Sequence, residues 1–133
     1  MTLDRWNEKP IGEALAATFL PALAPLGFEL LRTSDDGVQF EGALVGFEAR
    51  YVPRDSELAV YVIPRESEQR IQLLMYLRAI GSSAASKLGD AVAESAEDAL
   101  RIAEAYATAL PEAAKLLRGD AVEIHRARNL RWY

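Results

Sequence analysis

The spacing of apolar residues changes twice along this 133-residue chain, and that double change constrains its fold most. Up to Gly27 the spacing is helical. Ile11, Leu15, Phe19, Ala22, Leu23 and Leu26 recur every three or four residues and make one apolar stripe. Pro10 suits a first helical turn, where its missing N–H is not needed. Pro21 is expected to bend or restart the helix, and Gly27 to stop it.

From residue 28 the period falls to two. Residues 28–33, 38–41, 47–52 and 58–63 alternate as strands do. Ser34-Asp35-Asp36-Gly37 and Pro53-Arg54-Asp55-Ser56 are turn sequences, and a further turn lies within 42–46. Links this short join antiparallel neighbours. Alternation puts Phe28, Leu30, Val38, Phe40, Phe47, Tyr51, Leu58, Val60 and Val62 on the inward face.

After Pro64 the helical period returns. Ser67 is expected to cap a helix over 67–80, with Ile71, Leu74, Met75 and Leu77 inward and Gly81 at its end. Residues 81–89 read as an interhelix loop. Asp90 or Ser95 caps the next helix, whose stripe runs from Ala99 to Leu117 with a kink at Pro111 and a stop at Gly119. Periodicity does not decide between helix and tail for 120–133. The order α-β-β-β-β-α-α is the α+β pattern. The expected fold is a four-stranded antiparallel meander sheet with helices mainly on one face, forming a single domain over 1–133.

Composition narrows the function. The chain has no Cys and one His, which removes disulfides, thiolate chemistry and multi-His metal sites. Its 15 Lys and Arg against 20 Asp and Glu give a net charge of −5, a poor balance for coating nucleic acid. The longest uncharged run, 14–28, is too short for the roughly 20 apolar residues of a membrane span. Charges are mixed over the first thirteen residues, unlike a signal peptide, so a cytoplasmic location is expected.

No catalytic pattern emerges. His125 lies among Arg126 and Arg128, with no Ser or carboxylate arranged around it as in a triad. Gly42 and Gly46 belong to a hairpin, and there is no phosphate-cradling glycine motif. Glu41 and Glu48 are strand residues facing away from the core. The expectation is no catalytic residue, no cofactor and no metal. The segment 124–133 (IHRARNLRWY) is basic and aromatic. It reads as a piece that folds back on Glu94, Glu97 and Glu104, with Trp132 over the core edge, before it reads as a partner contact.

The sheet's second face carries the functional expectation. It should present polar residues broken by Leu31, Val52, Tyr61 and Ile63, with Arg50 among them. Apolar residues rimmed by charge are the anatomy of a binding patch. The alanine-rich stretch 91–114 is either an internal packing face or a homodimer seam.

The helix-then-sheet order resembles bacterial secretion chaperones over about half the chain. Residues 23–31 (LAPLGFELL), the Asp35-Asp36-Gly37 turn and the strands to Ile63 carry the likeness. The chain departs from that family after its second helix, where the family returns to strands. Small acidic immunity proteins of bacterial toxin systems are similar in overall character. Both resemblances imply binding of a protein partner. The expected function is thus a small acidic non-catalytic protein-binding domain (adaptor, chaperone-like or immunity-like), its partner another protein or itself. The partner would sit on Leu31, Arg50, Val52, Tyr61 and Ile63. The alternative is a small-ligand binder or enzyme with a cleft between the sheet and helix 67–80, lined by Glu66, Arg70, Arg50 or Tyr51.

Overall fold

The computed structural model describes residues 10–66 and 69–130. Helix α1 (Gly12–Leu23) buries Leu15, Phe19 and Leu23, one per turn, as the stripe requires. Pro21 does not restart it. Pro21 is exposed and only lacks the N–H that would bond back to Ala17, and the chain tightens into a 3-10 turn at Ala24–Leu26 soon after it. Gly27, with φ of 89°, then turns the backbone out of the helix.

Five strands follow in the order β1-β2-β3-β4-β5, each antiparallel to the next. They are β1 (Glu29–Thr33), β2 (Gly37–Glu41), β3 (Val45–Val52), β4 (Glu57–Pro64) and β5 (Ile71–Gln72). The fifth strand replaces the start of the expected helix. Ile71 fits a helical stripe or a strand equally well. The open edge of β4 decides, because it pairs Val62 with Ile71 and Tyr61 with Gln72. The expected cap at Ser67 lies outside the described residues.

Helix α2 therefore begins late, at Leu73–Ala79, and α3 (Ser83–Leu88) occupies the expected loop. Ser82 makes α3 possible by accepting a hydrogen bond from Ala84 N–H at 3.2 Å. Ser95, and not Asp90, caps α4 (Ala96–Ala109), accepting from Asp98 N–H at 3.1 Å. Pro111 opens a 3-10 turn, Leu110–Ala113, before the short α5 (Ala114–Leu117). The undecided segment is helix α6 (Ala121–Arg128), capped by Asp120.

The fold is the expected α+β class. Val38, Ala49 and Val60 form one buried row across the sheet, and Phe40, Phe47 and Val62 another. Helix α1 lies on this face, with the Phe19 ring 5.0 Å from that of Phe47. Helix α4 packs beside α1, and its buried Ala99, Ala103 and Ala109 permit the close approach. The small-residue seam is thus occupied within the chain. Helix α6 docks on α2. Tyr76 Oη donates to Glu123 at 2.7 Å, and Ala127 is buried. The basic segment thus meets α2, while Arg126 pairs with Glu123 of its own helix. Trp132 is outside the described residues.

Candidate functional site

The reverse face of the sheet, opposite α1, leaves Glu41 and Arg50 exposed and Gln39, Gly46, Tyr61 and Ile63 half-buried. Pairing register places Arg32, Gln39, Glu48, Tyr61 and Gln72 in one row across it. At the centre of the row, Glu48 is only 2% exposed. Gln39 Nε2 donates to its Oε2 at 3.0 Å, and Arg70 Nη1 to its Oε1 at 3.2 Å. The Arg70 guanidinium also lies 5.3 Å above the Tyr61 ring. Both carboxylate oxygens are satisfied, so the buried charge acts as a strut that holds Gln39 and Arg70.

To one side of this row lies a groove of about 290 Å3. Leu31 and Ile63 line it, and its floor is open because Gly46 has no side chain. The Glu41–Arg65 ion pair stands at its rim. To the other side, Arg32 and Arg50 border a shallow cavity of about 60 Å3 over Gly37. Neither arginine enters an ion pair among the described residues.

The expected patch is therefore divided. Leu31 and Ile63 come together in the groove. Half-buried Tyr61 lies in the polar row beneath Arg70, and Arg50 is exposed beyond that row. Val52 is at the far end of β3, opposite Glu57, and takes no part in the groove.

A bulge explains two departures from strict alternation. Pairing passes from Leu30↔Phe40 to Arg32↔Gln39, leaving Leu31 as an extra residue. Arg32 is thereby moved to the reverse face, and Thr33, which strict alternation from Phe28 would put there, pairs with Val38 on the helix side. Leu30 lies on the helix side as its pairing requires, but it is not core: it is 47% exposed at the sheet margin. Arg70 is the site residue that sequence reasoning misplaced, because 67–80 was read as continuous helix.

Glu66, Arg70, Arg50 and Tyr51 do not converge. Arg50 and Tyr51 are successive on β3 and point to opposite faces. The space between sheet and α2 is filled by Leu73, Tyr76 and Leu77. A larger cavity, about 440 Å3, lies between the β4 end and α6, with Leu44, Pro64, Glu66, Ile124 and His125 on its walls. His125 is exposed there, its ring 3.2 Å from Asn129 Nδ2.

No helix among the described residues is long and apolar enough to cross a membrane. Set beside known protein families, curated proteins and solved structures, the chain finds a match in none of the three.

Proposed function

We propose that this chain is a non-catalytic protein-binding domain of the cytoplasm, an adaptor in character, that receives its partner on the reverse face of the sheet. The observation that carries the reading is the Leu31–Ile63 groove on the reverse face, where Glu41 and Arg50 are exposed. Exposed apolar surface in a polar surround is what a docking partner covers. Charge gives the partner's chemistry. In a chain of net charge −5, Arg50 keeps an uncompensated positive charge on this face. The partner is thus a protein that offers an apolar side chain to the groove and a carboxylate to Arg50.

Ile63→Glu and Arg50→Glu test this separately. The expected result is one protein retained by the wild type from cell extract, released by either substitution, and retained less as salt rises. Retention of the same proteins by all three forms would overturn the reading.

The 440 Å3 cavity beside His125 supports a second reading, small-ligand binding, because its volume falls in the usual range for such sites. A metabolite at 100 times its dissociation constant would stabilise the fold by about 2.7 kcal/mol. A thermal-shift screen in which no metabolite raises the midpoint removes this reading.

A further inference from the structure

We infer that Arg32 and Arg50 together hold a phosphate group, tetrahedral and doubly charged, in the hollow over Gly37. Strand register brings the two arginines to that place. Arg32 pairs with Gln39 and Arg50 with Gly37, so they flank β2 from either side on the reverse face. Two strand spacings across and two residues along separate their backbones by roughly 12 Å. Each side chain has about half of that to cover, and both line the one hollow.

Charge and size give the ligand. Arg32 and Arg50 are both exposed, and neither has an ion-pair partner among the described residues. The neighbouring arginines of this face are engaged, Arg65 with Glu41 and Arg70 with Glu48. Glu48 is the carboxylate that lines the hollow, and both its oxygens are bonded, to Gln39 and to Arg70. The Asp36 carboxylate lies outside the lining, and Glu29 stands opposite Glu41 at the far end of β1. Two positive charges are thus left facing the hollow. One carboxylate fills the fork of one arginine, whereas a phosphate dianion offers oxygens and charge enough for two. Size agrees. At about 60 Å3 the hollow suits a phosphate-sized group, far below the roughly 300 Å3 or more that a whole metabolite occupies.

Gly37 keeps the hollow open. A Cβ there would stand 3.5 Å from Ser34 Oγ and 3.6 Å from Arg50 Cα. Ser34 lines the same hollow. Its hydroxyl donates to Asp36 Oδ1 at 3.1 Å and is free to rotate its proton to a phosphate oxygen instead. Docking of a protein in the Leu31–Ile63 groove uses Arg50 alone. Phosphate binding needs Arg32 as well and no protein partner, so it stands apart from that docking.

Titrations of the purified chain followed by NMR test it. The probes are inorganic phosphate, acetate, a phosphoserine peptide and the same peptide unphosphorylated. Inorganic phosphate is expected to shift the signals of Arg32, Gly37 and Arg50 with a dissociation constant of about 1 mM or below. Acetate and the unphosphorylated peptide should bind at least about tenfold more weakly. Arg32→Gln and Arg50→Gln should each raise the phosphate constant about tenfold or more. Arg118→Gln, which removes an exposed charge elsewhere, should leave it within about twofold. Ile63→Glu, which tests docking in the groove, should also leave it unchanged. Dispersion of the amide signals checks that each variant stays folded. Phosphopeptide binding at least as tight as that of inorganic phosphate assigns the group to a phosphorylated partner, and weaker binding assigns it to the free ion. A wild type whose Arg32 and Arg50 signals do not move in about 10 mM phosphate would overturn the inference. So would acetate that binds as tightly as phosphate, glutamine variants that bind as the wild type does, or an equal loss in Arg118→Gln.

Discussion

Gly12 shows how one residue ties the first helix to the sheet. A Cβ there would lie 1.9 Å from the Ser34 carbonyl oxygen and 2.7 Å from that of Gly37. Helix α1 starts against the β1–β2 turn so closely that Ile11 N–H donates to the Asp35 carbonyl at 2.9 Å. Helix propensity alone would make Gly12→Ala a gain of up to about 1 kcal/mol. The contact reverses the sign, because backbone atoms cannot yield as a flexible side chain can. Gly12→Ala is expected to cost about 1–3 kcal/mol in urea denaturation. A second residue-scale effect is alkaline sensitivity. Burial, then the hydrogen bond to Glu123, raises the Tyr76 pKa, and burial raises that of Tyr106. Both phenols keep their protons in the fold at a pH where the unfolded chain loses them. Their contribution is therefore complete below about pH 10 and is lost as pH rises above it. Stability should fall by about 1.4 kcal/mol per pH unit for each tyrosine in that window. Tyr76→Phe should make the decline shallower in denaturation curves taken above pH 10.

At the scale of elements, α6 is the most separable piece. It meets the rest through Glu123 on Tyr76, the buried Ala127 and the half-buried Ile124, and its first turn is capped by Asp120, whose carboxylate accepts from Glu123 N–H at 3.0 Å. The cap also fixes the residue that makes the docking hydrogen bond. Asp120→Ala should cost about 1 kcal/mol. The loss should appear first as faster amide exchange in α6, with the sheet amides unchanged. The elements also differ in how legible they were. The stripe Ile11–Leu15–Phe19 and the alternation 47–52 each match one period only, so α1 and β3 follow from spacing. Ile71 and Gln72 match both, and a neighbouring strand edge settled them. The α3 segment, with Ser82, Ala84 and Ala85, has too little apolar content to show a period. It forms because Ser82 caps it while donating to Glu112 at 2.8 Å, a residue 30 positions away.

Across the whole molecule, a single cluster of buried side chains runs through α1, the sheet, α2 and α4. Phe47 sits within it, 5.0 Å from Phe19 and 6.1 Å from Phe40. Phe47→Ala should cost about 3–5 kcal/mol, a large part of the 5–15 that a domain has. Because the cluster is shared, near- and far-UV signals should be lost together on heating. Apolar spacing, read along the chain, determined the α+β class, most of the inward set and the polar character of the reverse face. A local period reflects which side of an element is dry, and that is written residue by residue. Tertiary structure alone decided the bulge at Leu31, the turning of Arg32 and Thr33, the placing of Arg70 over Tyr61, and the exposure of Leu30. Each depends on which backbone lies alongside, and pairing between strands leaves no trace in the spacing within either one.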